Sequence, residues 1–247
     1  MKFLKITFFS ILAIAAIIFG IIFSQNEKLP EGTNTKKGDY LAAQMLLALN
    51  QPAWDSTAFA TWTFPGGHDY VWAKKQELVS VKWGENTVLL NLKDWQKGKA
   101  FVGGKEQKGN ELDVLRGKAY AYFCNDSFWL IAPYKVFDEG VTRKIVVNEN
   151  GKEDLLVSYS AGGITPGDSY LWQLSEKYVP KSFKMWVKII PIGGISATWE
   201  NWVKTKSGAI IAQNHHLGPI NQVMGNVQTG NSLEEIGIKE DIFVAVR

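Results

Sequence analysis

The three histidines are the first candidates for chemistry in this 247-residue sequence. His215 and His216 are adjacent, and adjacent side chains of a strand point to opposite faces, so they cannot hold one ion together. His68 would have to reach them through the fold, together with a carboxylate such as Glu200. Metal sites need three or four converging ligands, and no HxH or HxxxH spacing occurs. We therefore expect no metal site and no cofactor.

The cysteine and the aspartates beside aromatic stretches are the candidates for catalysis. No His or Lys flanks Cys124 to activate its thiol, so we predict a buried, inert side chain. Asp126, Asp138 and Asp168 could each act as a general acid, but each lies in a local sequence typical of an Asx turn. We therefore predict that these aspartates cap turns, that no residue is catalytic and that the protein is not an enzyme.

Composition limits the classes of partner. The formal charge of +3 comes from 27 basic and 24 acidic residues, and no long basic run follows the N-terminus. Nucleic-acid binding therefore has little support. Hydrophobic residues make up 46% and charged residues 21%, as in a globular protein. A single cysteine excludes an intrachain disulfide. Ten Trp and thirteen Phe are unusually many, so large aromatic side chains must shape the interior.

Residues 155–212 carry the clearest secondary-structure signal, a period-two alternation interrupted by turn signals. Phe183 and Met185 share one face of a strand, whereas Lys184 and Trp186 share the other. Residues 59–102 alternate in the same way. Helical spacing predicts helices over residues 40–50 and 110–123. The fold class that we predict is mainly β: one large, curved antiparallel sheet, an unclosed barrel, with two helices on its concave side.

The N-terminus predicts a membrane anchor. Residues 6–23 form an apolar run long enough to cross a hydrocarbon core, and Lys2 and Lys5 before it favour a cytoplasmic N-terminus. We assign residues 1–25 to a transmembrane signal anchor, 26–38 to a tether and 39–247 to a β-rich domain. The expected location is the cell membrane, crossed once, with the C-terminal domain extracytoplasmic, in the periplasm. A cleaved signal peptide is the alternative.

Tryptophans recur along the predicted strands, and several strands carry large side chains on both faces. A sheet that is covered on both faces would give this pattern, and so would a sheet that encloses a cavity. On the second interpretation, one set of side chains lines a cavity for a hydrophobic ligand. The candidates are Trp62, Trp72, Trp83, Trp172, Met185 and Trp199.

Four segments carry a resemblance to a known family: residues 29–32 (LPEG), 125–138 (NDSFWLIAPYKVFD), 165–172 (TPGDSYLW) and 197–202 (ATWENW). They resemble a family of membrane-anchored extracytoplasmic proteins of Bacteroidota that has no assigned activity. The resemblance covers nearly all of the chain before Gly225 and implies a location, not a function. More distantly, the layout is similar to the LolA/LolB-like lipoprotein-carrier fold. That likeness implies acyl chains as a candidate ligand class.

Three hypotheses of function follow. The first is a membrane-tethered extracytoplasmic protein that binds a hydrophobic or lipid-like ligand, such as an acyl chain, or handles lipoproteins. The second is a structural or interaction module of the cell envelope with no ligand cavity, docking a protein partner that the sequence does not specify. The third is an envelope hydrolase that uses an aspartate, which would need two carboxylates in one cleft.

Overall fold

The computed structural model describes residues 26–164 and 166–247, so the predicted membrane anchor at residues 1–25 lies outside it. The described chain is mainly β, as the alternation predicts. Its helices are α1 (Thr35–Ala48), α2 (Gln51–Ser56) and α3 (Gly109–Ile131). The strands that form the first sheet are β1 (Phe59–Phe64), β2 (His68–Ala73), β3 (Leu78–Trp83), β4 (Asn86–Asn91), β5 (Lys99–Val102), β6 (Lys105–Glu106) and β15 (Gly225–Gly230). The strands that form the second sheet are β7 (Val141–Val147), β8 (Glu153–Tyr159), β9 (Ser169–Leu174), β10 (Pro180–Trp186), β11 (Ile195–Thr198), β12 (Glu200–Lys204), β13 (Ile210–Leu217) and β14 (Ile220–Val223).

Both sheets are antiparallel and are built from hairpins between strands that follow each other in sequence. The first sheet has the order β15-β1-β2-β3-β4-β5-β6. In the second, β7, β8, β9, β10 and β11 pair in chain order. Segments β11 and β12 pair with β13 in one continuous register, because Ala197 is opposite Leu217 and Glu200 is opposite Asn214. They are therefore two halves of one extended segment that is interrupted at Trp199.

The two sheets meet along residues 220–230. Strand β14 pairs with β13 of the second sheet, whereas β15 pairs with β1 of the first. Only Met224 separates β14 from β15, and its backbone N–H donates to Gln213 at 2.8 Å. We predicted one curved sheet, but the structure has two, because the pairing partner changes at Met224. The assembly is unclosed, since β6 and β7 end the two pairing orders of the described chain without pairing with each other.

Helix α3 lies between the sheets and organises the core. Phe123 on this helix contacts Trp62 and Trp72 of the first sheet at ring-centroid distances of 6.3 and 5.3 Å. Trp129, six residues later, contacts Phe183 of the second sheet at 5.6 Å. One buried cluster, which we call the aromatic core, therefore includes side chains of both sheets and of α1 and α3.

The helix boundaries differ from the predicted ones. Helix α1 begins at Thr35, before the predicted start at residue 40, because the Asn34 side chain accepts from the Lys37 backbone N–H at 3.1 Å. Helix α3 continues to Ile131, beyond the predicted end at residue 123. Asp126 therefore lies inside a helix, and the prediction that it caps a turn is wrong.

Residues 26–34, the N-terminal strap, cross the outer face of the second sheet. At one end the Glu27 backbone pairs with Gly193, and at the other Thr33 forms a bridge with Ile145 on the edge strand β7. A side chain at Gly32 would clash with Lys144 and Leu156, so the strap lies directly on the strands. Leu156 is buried although it lies outside the aromatic core, because the strap covers it. The strap also protects the edge of this sheet.

The C-terminal residues cover the outer face of the first sheet in a similar way. Phe243 is fully buried against a small cluster that includes Phe59, Leu78 and Leu89. The two chain ends therefore cover the outer faces of the two sheets. Two explanations were open for large side chains on both faces of a strand: a sheet that is covered on both faces, or a sheet that encloses a cavity. The structure has the first of these, because each sheet is covered on its outer face as well as on its inner face. Beside Phe243, Val244–Val246 form a short 3-10 helix.

Candidate functional site

The six predicted ligand-binding residues lie in or against the aromatic core. Trp62, Trp172, Trp199 and Met185 are buried members, whereas Trp72 and Trp83 are partly buried and pack against it. The structure brings them together in two groups rather than one, with α3 between them.

The first group surrounds Phe123. Trp62 stacks on Tyr70 with ring centroids 4.4 Å apart and planes 11° from parallel, and Trp72 contacts Phe123 edge-on. The pairing register between β1 and β2 explains why these two rings stack. Trp62 is opposite Tyr70 across the two strands, so both rings project to the same face.

The second group belongs to the longer sheet. Trp172 lies 5.1 Å from Trp199 and 5.0 Å from Phe183 between ring centroids. Trp199 in turn lies 4.3 Å from the imidazole of His215, with the rings at 70°. Met185 is on the same face of β10 as Phe183, which places its side chain beside these rings.

Several polar atoms of the aromatic core have no hydrogen-bond partner among the described residues. Indole N–H groups account for most of them, and they belong to four of the six predicted residues. The unpartnered atoms of this core are Nε1 of Trp62, Trp72, Trp172 and Trp199, Oη of Tyr159 and Nε2 of His215. An indole N–H can only donate, and leaving it unpaired in an apolar interior costs about 1–3 kcal/mol. The core therefore offers several donors that lack acceptors.

His215 is held neutral inside this core. Its Nδ1 lies 3.0 Å from the Thr198 carbonyl oxygen, so Nδ1 carries the proton and donates. Burial lowers the pKa of His215 from 6.5 to about 4, because the surrounding rings cannot solvate an imidazolium. His216, its neighbour, points the other way and lies 3.6 Å from Glu200. The two histidines do not converge, as the strand geometry predicts.

A buried cluster that the sequence analysis missed joins α3 to β2. Asp126 is only 2% exposed, and its Oδ2 accepts from the Tyr70 hydroxyl at 2.5 Å. The same oxygen lies 2.8 Å from Nδ1 of His68, and Oδ1 accepts from the Asn125 amide at 2.8 Å. Burial and the adjacent carboxylate together raise the pKa of Tyr70 well above its usual range, so the phenol stays a donor.

Residue spacing could have revealed this cluster. Ala119, Phe123, Asp126 and Leu130 recur at helical intervals of four, three and four, so a helix extended past residue 123 places Asp126 on its buried face. His68 and Tyr70 are two apart on β2 and therefore project to the same side of the sheet.

The outer end of this cluster is an aromatic rim. The His68 imidazole stacks on Tyr122 with ring centroids 4.0 Å apart, and Trp83 meets Tyr122 edge-on at 5.5 Å. The Lys118 ammonium lies 5.7 Å from the Trp83 ring and 5.4 Å from the Tyr122 ring. Trp83, one of the two predicted residues that are only partly buried, therefore lies beside a positive charge.

The other candidates for chemistry do not form a site. Cys124 is partly buried rather than fully buried as predicted, and this burial still raises the pKa of its thiol, the opposite of what a nucleophile needs. Among the described residues no group of three or more His, Cys, Asp or Glu side chains could hold a metal ion. Asp126 is also the only carboxylate in its cluster's hydrogen bonds, so the paired carboxylates that the hydrolase hypothesis requires do not occur there.

Two clefts of the described chain lie outside the aromatic core. One, of about 250 Å³, is bounded by the strap residues Leu29 to Gly32 and by Lys144 and Leu156. The other, of about 310 Å³, lies at Glu234 and Lys239 near the C-terminus. Neither cleft is lined by any of the six predicted residues. The buried members Trp62, Trp172, Trp199 and Met185 are enclosed by other side chains of the core, so access to them requires movement of α3 or of a sheet.

No family model matches the chain, and no curated protein matches it significantly. Between residues 26 and 247, excluding residue 165, no helix is long and apolar enough to span a membrane.

Proposed function

We propose that the protein is a membrane-tethered extracytoplasmic binding protein for a hydrophobic or lipid-like ligand with acceptor oxygens, and that it is not catalytic. The observation that carries this proposal is the set of unpartnered indole N–H groups on Trp62, Trp72, Trp172 and Trp199. Carboxylate, ester or carbonyl oxygens would satisfy these donors, and an acyl chain would contact the surrounding rings.

The arrangement of the sheets supports the proposal. Residues 220–230 run from the second sheet into the first, with only Met224 between the two pairings, and α3 lies between the sheets. On this proposal the sheets act as one curved, unclosed barrel, similar to a lipoprotein carrier, with α3 as its plug. Movement of α3 would withdraw Phe123 and Trp129 from the rings of the two sheets and admit a chain in their place.

A second candidate function has its own support. The aromatic side chains are closely packed, and the two chain ends explain why large residues occupy both faces of the strands. A closely packed core with covered sheets is sufficient for a structural or interaction module of the envelope, which needs no ligand cavity. In that case buried water would be the acceptor for the indole donors.

One substitution separates the two candidates. Trp172→Phe removes one donor and keeps an aromatic ring in the core. If a ligand oxygen accepts from Trp172, the variant loses bound ligand. If no ligand binds, the variant loses an unsatisfied polar group, and its stability stays within about 1 kcal/mol of the wild type or rises.

The measurement is native mass spectrometry of residues 26–247, purified without detergent, followed by organic extraction. A stoichiometric acyl-chain ligand in the wild type and reduced occupancy in Trp172→Phe support the binding function. Trp186→Phe is the matched control, because that indole lies on the outer face and donates to the Glu27 carbonyl at 2.8 Å. A ligand-free wild-type mass would overturn the proposal in favour of the second candidate.

A further inference from the structure

The strap fixes the position at which the described chain begins. Asn26 accepts from the Gly193 backbone N–H at 2.8 Å, and Glu27 donates to the Gly193 carbonyl at 3.1 Å. The Glu27 carboxylate binds the Lys184 ammonium at 2.6 Å, and the Trp186 indole donates to the Glu27 carbonyl. Side chains at Gly193 and Gly194 would clash with Glu27, so the chain is in close contact with this end of β10 and β11.

Two loops at this end of the second sheet carry exposed apolar side chains. They are the described residues 160–164 and 166–168, between β8 and β9, and residues 187–194, between β10 and β11. Ile189 is 70% exposed and Ile164 is 51% exposed. The loops pack side by side, because the Lys188 backbone N–H donates to Asp168 at 3.0 Å and Gly167 lies against the Lys188 side chain.

The sequence before Asn26 identifies what these loops face. Only two residues separate Phe23, the last residue of the apolar run, from Asn26. A chain spans at most about 3.6 Å per residue, so Gly193 lies within roughly 15 Å of the end of that run. The headgroup layer on each side of the hydrocarbon core is about 5–8 Å thick. The loops beside Gly193 are therefore within reach of the headgroup layer.

We propose that residues 160–164, 166–168 and 187–194 form a membrane-facing surface that rests on the lipid bilayer, with Ile164 and Ile189 in the interfacial layer. This inference depends on the proposed membrane anchor at residues 1–25. Apolar side chains of a peripheral surface insert about 5–10 Å into the headgroup region, and the Lys188 ammonium can extend toward lipid phosphates while its stem stays on apolar atoms. The second sheet then stands with its strand ends toward the membrane, and the turn at Asn148–Gly151 is at the far end.

The test uses the full chain, including residues 1–25, with an environment-sensitive fluorophore on a single cysteine. In a Cys124→Ser background the label is attached at Ile189→Cys or Ile164→Cys, and at Asn150→Cys as the matched control. Asn150 is exposed in the β7–β8 turn, at the opposite end of the same sheet. The protein is reconstituted into vesicles of phosphatidylethanolamine and phosphatidylglycerol, with quenchers either on the lipids or in solution.

We expect lipid-borne quenchers to act on labels at residues 164 and 189 at least about threefold more strongly than on the label at residue 150, as interfacial insertion requires. Iodide in solution should show the reverse order. Equal accessibility of the three labels to iodide in vesicle-bound protein would overturn the proposal, and so would failure of the full chain to stay with the vesicles.

A charge introduced at Ile189 tests the membrane-facing surface separately from the proposed binding function. Ile189→Asp leaves the aromatic core intact, so the ligand extracted from residues 26–247 should be unchanged. The same substitution should shift a label at residue 164 toward water. Loss of the ligand with an unchanged label would contradict the membrane-facing surface, whereas a ligand-free wild type alone would contradict only the binding function.

Discussion

At the scale of single residues, the molecule depends on a few buried polar groups whose partners come from distant parts of the chain. Asp126 of α3 receives hydrogen bonds from Tyr70 and His68 of β2. The Tyr134 hydroxyl lies 2.7 Å from the carbonyl oxygens of Leu49 and Ile210, donates its one proton to one of them and accepts from the Ile210 backbone N–H. Each of these contacts positions one element on another. A buried polar group that loses its partner costs more than the hydrogen bond itself gains, so such residues are sensitive to substitution.

Asp126→Ala should lower the free energy of unfolding by about 3 kcal/mol, because the Tyr70 hydroxyl and Nδ1 of His68 then lose a buried acceptor. Asp138→Ala is the control, since Asp138 forms an exposed ion pair with Lys135 and should change stability by less than about 1 kcal/mol. Urea unfolding at neutral pH measures both. Equal effects would show that the Asp126 cluster contributes nothing beyond a surface pair.

His215 predicts a pH dependence of stability. Its folded-state pKa, about 4, lies below the unfolded value of 6.5, so the unfolded chain binds the proton more readily. The stability is therefore complete above pH 6.5 and falls as the pH drops toward 4, by roughly 3 kcal/mol in total. His215→Phe should lose this component of the pH dependence between pH 7 and 4, whereas His216→Phe should keep it. Urea unfolding at several pH values distinguishes the variants.

The residue types and their periodicity predict much of the core but not the polar cluster. Trp62, Trp172, Trp199 and Met185 are buried as their strand positions indicate. Asp126 was assigned to a turn, because the segment around it is typical of one in isolation. Tertiary packing overrides that local preference: two partners on β2 stabilise a carboxylate that would otherwise be costly to bury inside a helix.

At the scale of elements, close approaches decide which helix faces which strand. Helix α1 rests on β7 through Gly38, where a Cβ atom would come within 2.7 Å of the backbone of Arg143 and Lys144. The Arg143 guanidinium also binds Asp39 on the same helix at 2.5 Å. Sequence alone predicts a helix here, but it does not show that the glycine allows this contact.

A pair of glycine substitutions tests this contact. Gly38→Ala should destabilise the protein by about 1–3 kcal/mol, because the new methyl group has no room against the β7 backbone. Gly117→Ala in α3 is the matched control: no atom lies within 4 Å of its Cβ position, so better helix propensity should stabilise the protein by up to about 1 kcal/mol. Thermal unfolding of both variants gives the sign of each change in stability. A stabilising Gly38→Ala would contradict the close approach of α1 to β7.

At the scale of the whole molecule, one core joins both sheets, so we expect them to unfold together. Phe243→Ala, on the outer face of the first sheet, should cost about 3–4 kcal/mol because the ring is fully buried. Hydrogen exchange should then accelerate roughly a hundredfold or more in both β2 and β9. Val244→Ala, at an exposed position, should change neither the stability nor the exchange rates in β2 and β9. Acceleration confined to β2 would show that the sheets unfold independently.

The sequence is sufficient to predict a mainly β, antiparallel, unclosed architecture, because hairpin turns and alternation are local signals. It does not predict the division into two sheets, since that depends on which strands residues 220–230 join across the molecule. It also does not predict how the chain ends cover the outer faces. These segments have weak patterns of their own, and their place is determined by the surfaces that they cover.

The pairing of β15 with β1 also determines when the fold can be completed during synthesis. Strand β1 is among the first segments made, but its neighbour at residues 225–230 is among the last. The second sheet assembles largely from consecutive hairpins, whereas β1 keeps an open edge until the end of the chain arrives. On the proposed extracytoplasmic location, this edge of β1 has no neighbour throughout translocation. Chaperones that shield unpaired strands should bind the nascent chain at residues 59–64.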